Sequence, residues 1–506
     1  MRHVWAAVTA ILLGATPAAA EWREATSRHF VLYADMGEDK LRRRAEALER
    51  LDWGLRRFMR VEDEPEIAAR KVAVYLVRDS DVQRLCRCTG AAGFYLSNVS
   101  GSTAFSSTSV SADGTDSSRI VLFHEYAHHF MLGSDSFAFP AWYIEGFAEF
   151  ASTAKVAAEH VSIGHAAKHR AYGLFTANKL SAAQMLDPTL RTRLRGAQID
   201  AFYGRGWLMT HFFTFEPGRF EQFRSYVRAI NSGTPALEAG QEAFGDLEAL
   251  DRDIERYLGR PKLSAAFISY GKNAVPDVRI RSLTAGQAAL IDHRMESVRG
   301  VDQEAARKLF ARAAPIAARY TDDPVAQGWL AEMAFDAGDD AAAEAAAGRA
   351  LSRDPKSVQA MLYRARVKLR RLETAKPADA EAWAEARRAI ISANRADPDD
   401  AEPLWWYWRS FAMEGRAPSP AAIKGLHRAQ ELMPQDKEVR LAAAVARIEA
   451  GEVDDAKHLL RPLAYDPHAP ADGTATRMLA ALEAGKKGPD VLALGAHADK
   501  DGGKQE

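Results

Sequence analysis

His124 and His128 stand four residues apart in the segment Val121-Leu-Phe-His-Glu-Tyr-Ala-His-His-Phe130. On an α-helix that spacing sets both imidazoles on one face, one turn apart, as two ligands of a tetrahedral zinc ion require. Glu125 is the next residue around the helix from His124 and can reach a water held by such a metal. A carboxylate there has the chemistry of a general base.

A second segment, Pro140-Ala-Trp-Tyr-Ile-Glu-Gly-Phe-Ala-Glu-Phe150, brings Glu145 17 residues after His128. A loop between them lets a second helix return beside the first and supply a third ligand. H-E-x-x-H followed by such a Glu resembles the gluzincin zinc peptidases, the group that includes thermolysin and the aminopeptidase N family. Trp142-Tyr-Ile-Glu145-Gly-Phe-Ala is very like the matching aminopeptidase segment. The resemblance implies one Zn2+ per chain on His124, His128 and Glu145, with Glu125 as general base.

Two further residues follow from the same resemblance. Glu149 lies one helical turn beyond Glu145 on the same face. It is implied to accept the outer N–H of His124, since a zinc-bound imidazole usually donates its second N–H to an oxygen; a plain surface carboxylate is the other reading. Phe202-Tyr-Gly-Arg-Gly206, a glycine-containing turn into the apolar run Trp207 to Phe213, resembles the aminopeptidase Y-x-x-G segment. Tyr203 is then implied to donate to the oxyanion of the tetrahedral intermediate; a buried core tyrosine is the other reading. Arg205 and His211 are lesser candidates for that task. His129, His160, His165 and His169 have no partner pattern and read as solvated or hydrogen-bonded helix residues.

One departure narrows the activity. Aminopeptidases hold the substrate's free amino group with acidic residues in a G-x-M-E-N segment before the zinc helix. The matching region, Ser97 to Ser118, has no Glu, and Asp113 and Asp116 are its only acids. The expectation is therefore an endopeptidase, with an extended internal peptide bound along an uncapped edge strand by main-chain hydrogen bonds.

These groups need a frame to hold them. His29-Phe-Val-Leu-Tyr33 and Lys71-Val-Ala-Val-Tyr-Leu-Val77 read as strands, and Phe94 to Leu96 and Thr103 to Phe105 as edge strands. Glu38 to Phe58 reads as a helix with Leu41, Ala45, Leu48, Leu51 and Leu55 on one face. Helices dominate from Arg119 onward. This order predicts an α+β, zincin-like peptidase domain over residues 21–260. Residues 261–300, with Val278-Arg-Ile-Arg-Ser-Leu283, read as a linker or small sheet add-on.

Residues 301–485 are Ala-rich and helical. Asp-Pro recurs at 354–355, 397–398 and 466–467, with Met433-Pro434 at a similar place. Gly338, Ala343, Ala350 and Pro355 form a register that Gly451, Ala456, Leu463 and Pro467 nearly repeat. The pattern resembles degenerate tetratricopeptide repeats, with Trp329-Leu330 near the family's Trp and Leu and Ala331 where it prefers Gly. It implies an all-α solenoid whose concave surface binds a protein partner or presents substrate. Residues 486–506, charged and Gly-rich, are expected to be a disordered tail.

The chain's beginning bears on location. Arg2 and His3 precede the apolar run Val4 to Leu13, and Ala18-Ala19-Ala20 precedes Glu21. That is the pattern of a cleaved signal peptide over residues 1–20. The run is shorter than the roughly 20 residues a membrane span needs. A periplasmic or secreted protein without stable membrane insertion is expected. Lys plus Arg total 67 and Asp plus Glu 68, a balance that gives no argument for a nucleic-acid partner. Cys86 and Cys88 are the only cysteines, too few for a zinc site of their own. The rival function is an inactive envelope scaffold that acts through its repeats; a degenerate site usually loses one of its ligands, and here all four key residues are intact.

Overall fold

The computed structural model describes residues 21–63, 71–89, 91–109, 117–133, 138–175, 179–270, 276–375, 379–470 and 472–496. The expected signal peptide, Asp113 and Asp116 lie outside the described residues.

Alternating apolar residues build a six-stranded mixed sheet. Its strands are β1 (Trp22–Thr26), β2 (Phe30–Asp35), β3 (Val72–Val77), β4 (Gly93–Asn98), β5 (Gly101–Ser107) and, far along the chain, Arg279–Ser282. The spatial order is β4-β5-β3-β2-β1 and then the Arg279–Ser282 strand, so β4 is one edge. β2, β3 and β5 run parallel; β1, β4 and Arg279–Ser282 are antiparallel to their neighbours. A second sheet joins the strands Lys155–Val156, His160–Ile163 and Ala266–Ser269. Residues 261–300 thus finish both sheets and end in the helix Ala285–Arg299.

Each face of the large sheet has its own cover. The helix α1 (Glu38–Met59) lays Leu41, Ala45, Leu48, Leu51 and Leu55, all fully buried, against Phe30, Leu32 and Ala34 of β2. Each buried leucine contributes about 1.5–3 kcal/mol. The other face stacks Tyr33, Tyr75, Phe105 and Phe94 in a row, with neighbouring ring centroids 4.8–5.2 Å apart. Leu290, Ile291 and Met295 of the helix Ala285–Arg299 cover that face, together with the short helix α2 (Asp79–Cys86). A disulfide joins Cys86 and Cys88 at the end of α2.

Antiparallel helix pairs follow from Gln303 onward: Pro324–Asp336 with Asp340–Arg353, Val358–Thr374 with Ala380–Ala396, Ala401–Glu414 with Pro420–Leu432, and Lys437–Glu449 with Val453–Ala464. Asp354-Pro355, Asp397-Pro398, Met433-Pro434 and Asp466-Pro467 all fall between pairs, where proline cannot prolong the helix. Gly338 and Gly451 sit in the turns within pairs at φ 85° and 77°, a conformation glycine adopts freely. Buried alanines such as Ala343, Ala346, Ala347 and Ala350 let paired helices approach closely. The region is a helical-repeat solenoid. Part of the expected disordered tail is instead ordered: Gly488–Ala496 is a helix, and Val491 is buried in the last repeat core. Its apolar Val491, Leu492 and Leu494 outweigh the charge and glycine around them. No helix among the described residues is long and apolar enough to cross a membrane.

Candidate metal centre

The helix α3 (Ser117–Leu132) carries His124, Glu125 and His128. Its opposite side is fixed in the core. Tyr126 packs on Phe30 with ring centroids 4.8 Å apart and donates its hydroxyl to Asp52 of α1. His129 shares a hydrogen bond with the Tyr95 hydroxyl of β4, at 3.0 Å. The imidazoles of His124 and His128 and the carboxylate of Glu125 are left half-buried on the remaining face.

The helix α4 (Ala141–Ser152) runs back beside α3, and all of its residues are buried. It nonetheless carries two carboxylates, Glu145 at 0% exposure and Glu149 at 1%. Burying a carboxylate is costly unless positive charge meets it. Both have such partners. His124 Nε2 lies 3.6 Å and His128 Nε2 3.4 Å from Glu145 Oε2, and the two nitrogens are 3.1 Å apart. Glu149 Oε1 lies 3.2 Å from His124 Nδ1 and accepts from the Arg170 guanidinium at 2.6 Å; its Oε2 is 2.7 Å from His169 Nε2.

The donor set fits a metal ion. His124, His128 and Glu145 each offer one ligand atom, all within 4.8 Å of one another. Zn–N and Zn–O bonds near 2.0–2.1 Å in a tetrahedron separate the donors by roughly 3.3 Å, close to the spacings seen here. Neither Glu145 oxygen has a well-formed hydrogen bond despite complete burial. A cation at the common point would satisfy that orphaned charge.

The two carboxylates also set the proton affinity of the cluster. Burial works to lower the pKa of His124, but Glu145 and Glu149 overcome it and hold the imidazole up at about 10. Burial works to raise both glutamates. His128, His124 and His468 hold Glu145 far below the usual carboxylate range, and His124, His169 and Arg170 do the same for Glu149.

Tyr203 stands on the far side of the cluster, its ring centroid 6.1 Å from that of His124. It lies inside the helix Ala197–Phe215, not at the turn expected from its glycines. Those glycines serve packing. A Cβ on Gly206 would crowd the Trp142 carbonyl oxygen, and Gly146 meets Gly206 across the same seam. The two helices therefore touch backbone to backbone, which brings Tyr203 beside Glu145. Burial, and next the charge of Glu145, push the Tyr203 hydroxyl up to about 12, so it stays a donor.

The chain matches no protein-family model and no curated protein. Among solved structures it is similar to the crystal structure of a thermophilic tetratricopeptide repeat protein of Thermus thermophilus. The two are 21% identical over 39% of this chain and 98% of that one, with a TM-score of 0.31.

Several residues at the cluster carry no sequence signature. Arg191 donates to the Tyr203 hydroxyl at 3.4 Å, and Arg170 lies over the Tyr203 ring at 4.8 Å. His169, expected to be a solvated or hydrogen-bonded helix residue, holds Glu149 from the short 3-10 turn Lys168–Arg170. The lesser oxyanion candidates serve elsewhere. Arg205 pairs with Asp251 and Glu255, and His211 is fully buried between the Tyr257 hydroxyl and the carbonyls of Gly164 and Ser264.

Proposed function

We propose that this protein is an exported zinc-dependent endopeptidase. The observation that carries the reading is the convergence of His124 Nε2, His128 Nε2 and Glu145 Oε2 at 3.1–3.6 Å in a buried setting. His124, His128 and Glu145 would hold the zinc, and Glu149 would fix the His124 ring through Nδ1. A bound zinc ion supplies acidity to water and polarises a peptide carbonyl.

The chain's own groups do the rest. Glu125, on the same face of α3 as the histidines, takes the proton of the attacking water and returns it to the leaving amine. Tyr203 donates its hydroxyl hydrogen to the oxygen on which charge develops. Arg191, hydrogen-bonded to that hydroxyl, keeps it aimed. The edge strand β4 offers main-chain groups along which an extended peptide can pair. Export rests on the apolar run and the Ala18-Ala19-Ala20 site of the sequence. The repeats fit a protein partner or a presented substrate.

Metal analysis of protein purified without chelator, run with a peptide-library digest, tests this. About one zinc per chain is expected, with cleavage that falls about 10²–10⁴-fold in Glu125→Gln while the metal stays bound. A wild-type protein with no zinc, or a Glu125→Gln variant that cuts as well as wild type, refutes the assignment. An inactive scaffold is the second reading; it gains if no peptide is cut while loss of the repeats abolishes the biological role.

A further inference from the structure

The last part of the solenoid returns to the metal cluster. Between the helices Val453–Ala464 and Thr474–Glu483 the chain reads Tyr465-Asp-Pro-His468. His468 Nε2 lies 3.2 Å from Glu145 Oε1, the carboxylate oxygen turned away from His124 and His128. Glu145 is wholly enclosed, and His468, itself 56% exposed, reaches its outer oxygen from the solvent side.

That approach is built rather than incidental. Asp466 accepts the His468 backbone N–H at 2.7 Å and pairs with Lys437 at 2.5 Å, which closes a tight turn. Pro467, buried, fixes the backbone before His468. Tyr465 packs against the core of the N-terminal domain. Two helix pairs' turns thus rest on the catalytic frame, because Ser97 of β4 also donates to the Gln435 carbonyl at 2.6 Å and Val99 joins the last repeat core.

We infer that His468 is a positioning residue of the metal centre, supplied by the repeats. Its Nε2 makes an ion-pair contact with Glu145 Oε1, the outer oxygen, and leaves Oε2 to face the metal. A free carboxylate can rotate or bind through both oxygens; one held at its outer oxygen binds through the other. The solenoid then completes the site as well as serving any partner. This rests on the proposed metal site.

The test is metal affinity in the full-length protein, measured for Zn2+ by competition with a chromogenic chelator, with the visible absorption of the Co2+-loaded protein as the spectroscopic readout. His468→Ala is expected to weaken Zn2+ binding about 10–100-fold and to alter the Co2+ bands, with an unchanged unfolding midpoint. His468→Gln, which keeps an N–H donor, should recover part of the loss. If wild type and His468→Ala bind Zn2+ equally, the inference falls and the metal site stands. If both variants weaken binding alike and also lower the unfolding midpoint, the effect is general destabilisation and the inference falls. If His468→Ala raises cleavage at unchanged affinity, the contact is a barrier and the positioning role is wrong. A wild-type chain that binds neither metal overturns the metallopeptidase reading and this inference together.

Discussion

Gly206 and Trp142 lie so close that a Cβ on Gly206 would stand 2.8 Å from the Trp142 carbonyl oxygen. Gly206→Ala must therefore part the two helices that carry Tyr203 and Glu145. Overpacking of this kind costs about 1–3 kcal/mol. Urea unfolding should show a loss in that range; an unchanged midpoint would mean that the seam yields freely and does not set the position of Tyr203.

Tyr203→Phe removes one hydroxyl and keeps the ring over which Arg170 lies. Loss of a donor to developing charge costs on the order of 10²–10³-fold in rate. The expected outcome is a fall of that size in turnover number, with zinc content equal to wild type. Full activity in the variant would return Tyr203 to a purely structural role.

Glu149→Gln keeps the size of the side chain but removes the charge that meets His124, His169 and Arg170. Outer partners of metal ligands typically matter by about 10–100-fold in metal affinity. Chelator competition should find a loss within that span. Affinity equal to wild type would show that His124 does not need this acceptor.

A second buried pair, outside the cluster, sets a pH dependence. His29 Nδ1 lies 2.7 Å from Glu49 Oε2, and Glu49 Oε1 accepts the His29 backbone N–H. Burial works to lower the pKa of His29, but Glu49, Asp52 and Asp63 raise it above 6.5. Burial works to raise that of Glu49, but His29 takes it below 4.5. The stability due to His29 is complete below pH 6.5 and is lost as pH climbs through its raised value. That due to Glu49 is complete above pH 4.5 and is lost as pH falls through its lowered value. The Tm gap between wild type and His29→Gln should thus be widest in mildly acidic buffer and narrow in alkaline buffer. A gap that stays constant with pH would show that the pair does not titrate as argued.

The elements that proved legible in the sequence are those whose signal is local. The face Leu41 to Leu55 of α1 follows from a 3.6-residue period, and β2 and β3 from short β-branched and aromatic runs. His124, His128 and Glu145 come together because helical spacing and one return loop bring them there. Arg191, His169 and Arg170 were not legible, since they reach the cluster from short turns with no period. Tyr203 stands out in the sequence for its neighbours' glycines, yet their work is helix contact and not a turn. The pairing of Arg279–Ser282 with β1 and the approach of His468 depend on residues far apart in the chain, which no local pattern encodes.

The pairing of Arg279–Ser282 with β1 also orders events during synthesis. Glu24 and Arg281 are ion-paired across 257 residues. At about 5–20 residues per second, the ribosome leaves the outer edge of β1 without its neighbour for on the order of tens of seconds. A bare strand edge is a template for wrong pairing with other chains. Nascent chains that stop short of Arg279 should therefore be the aggregation-prone ones, while those that stop between Ser282 and His468 own a finished sheet but lack the contact of His468 with Glu145.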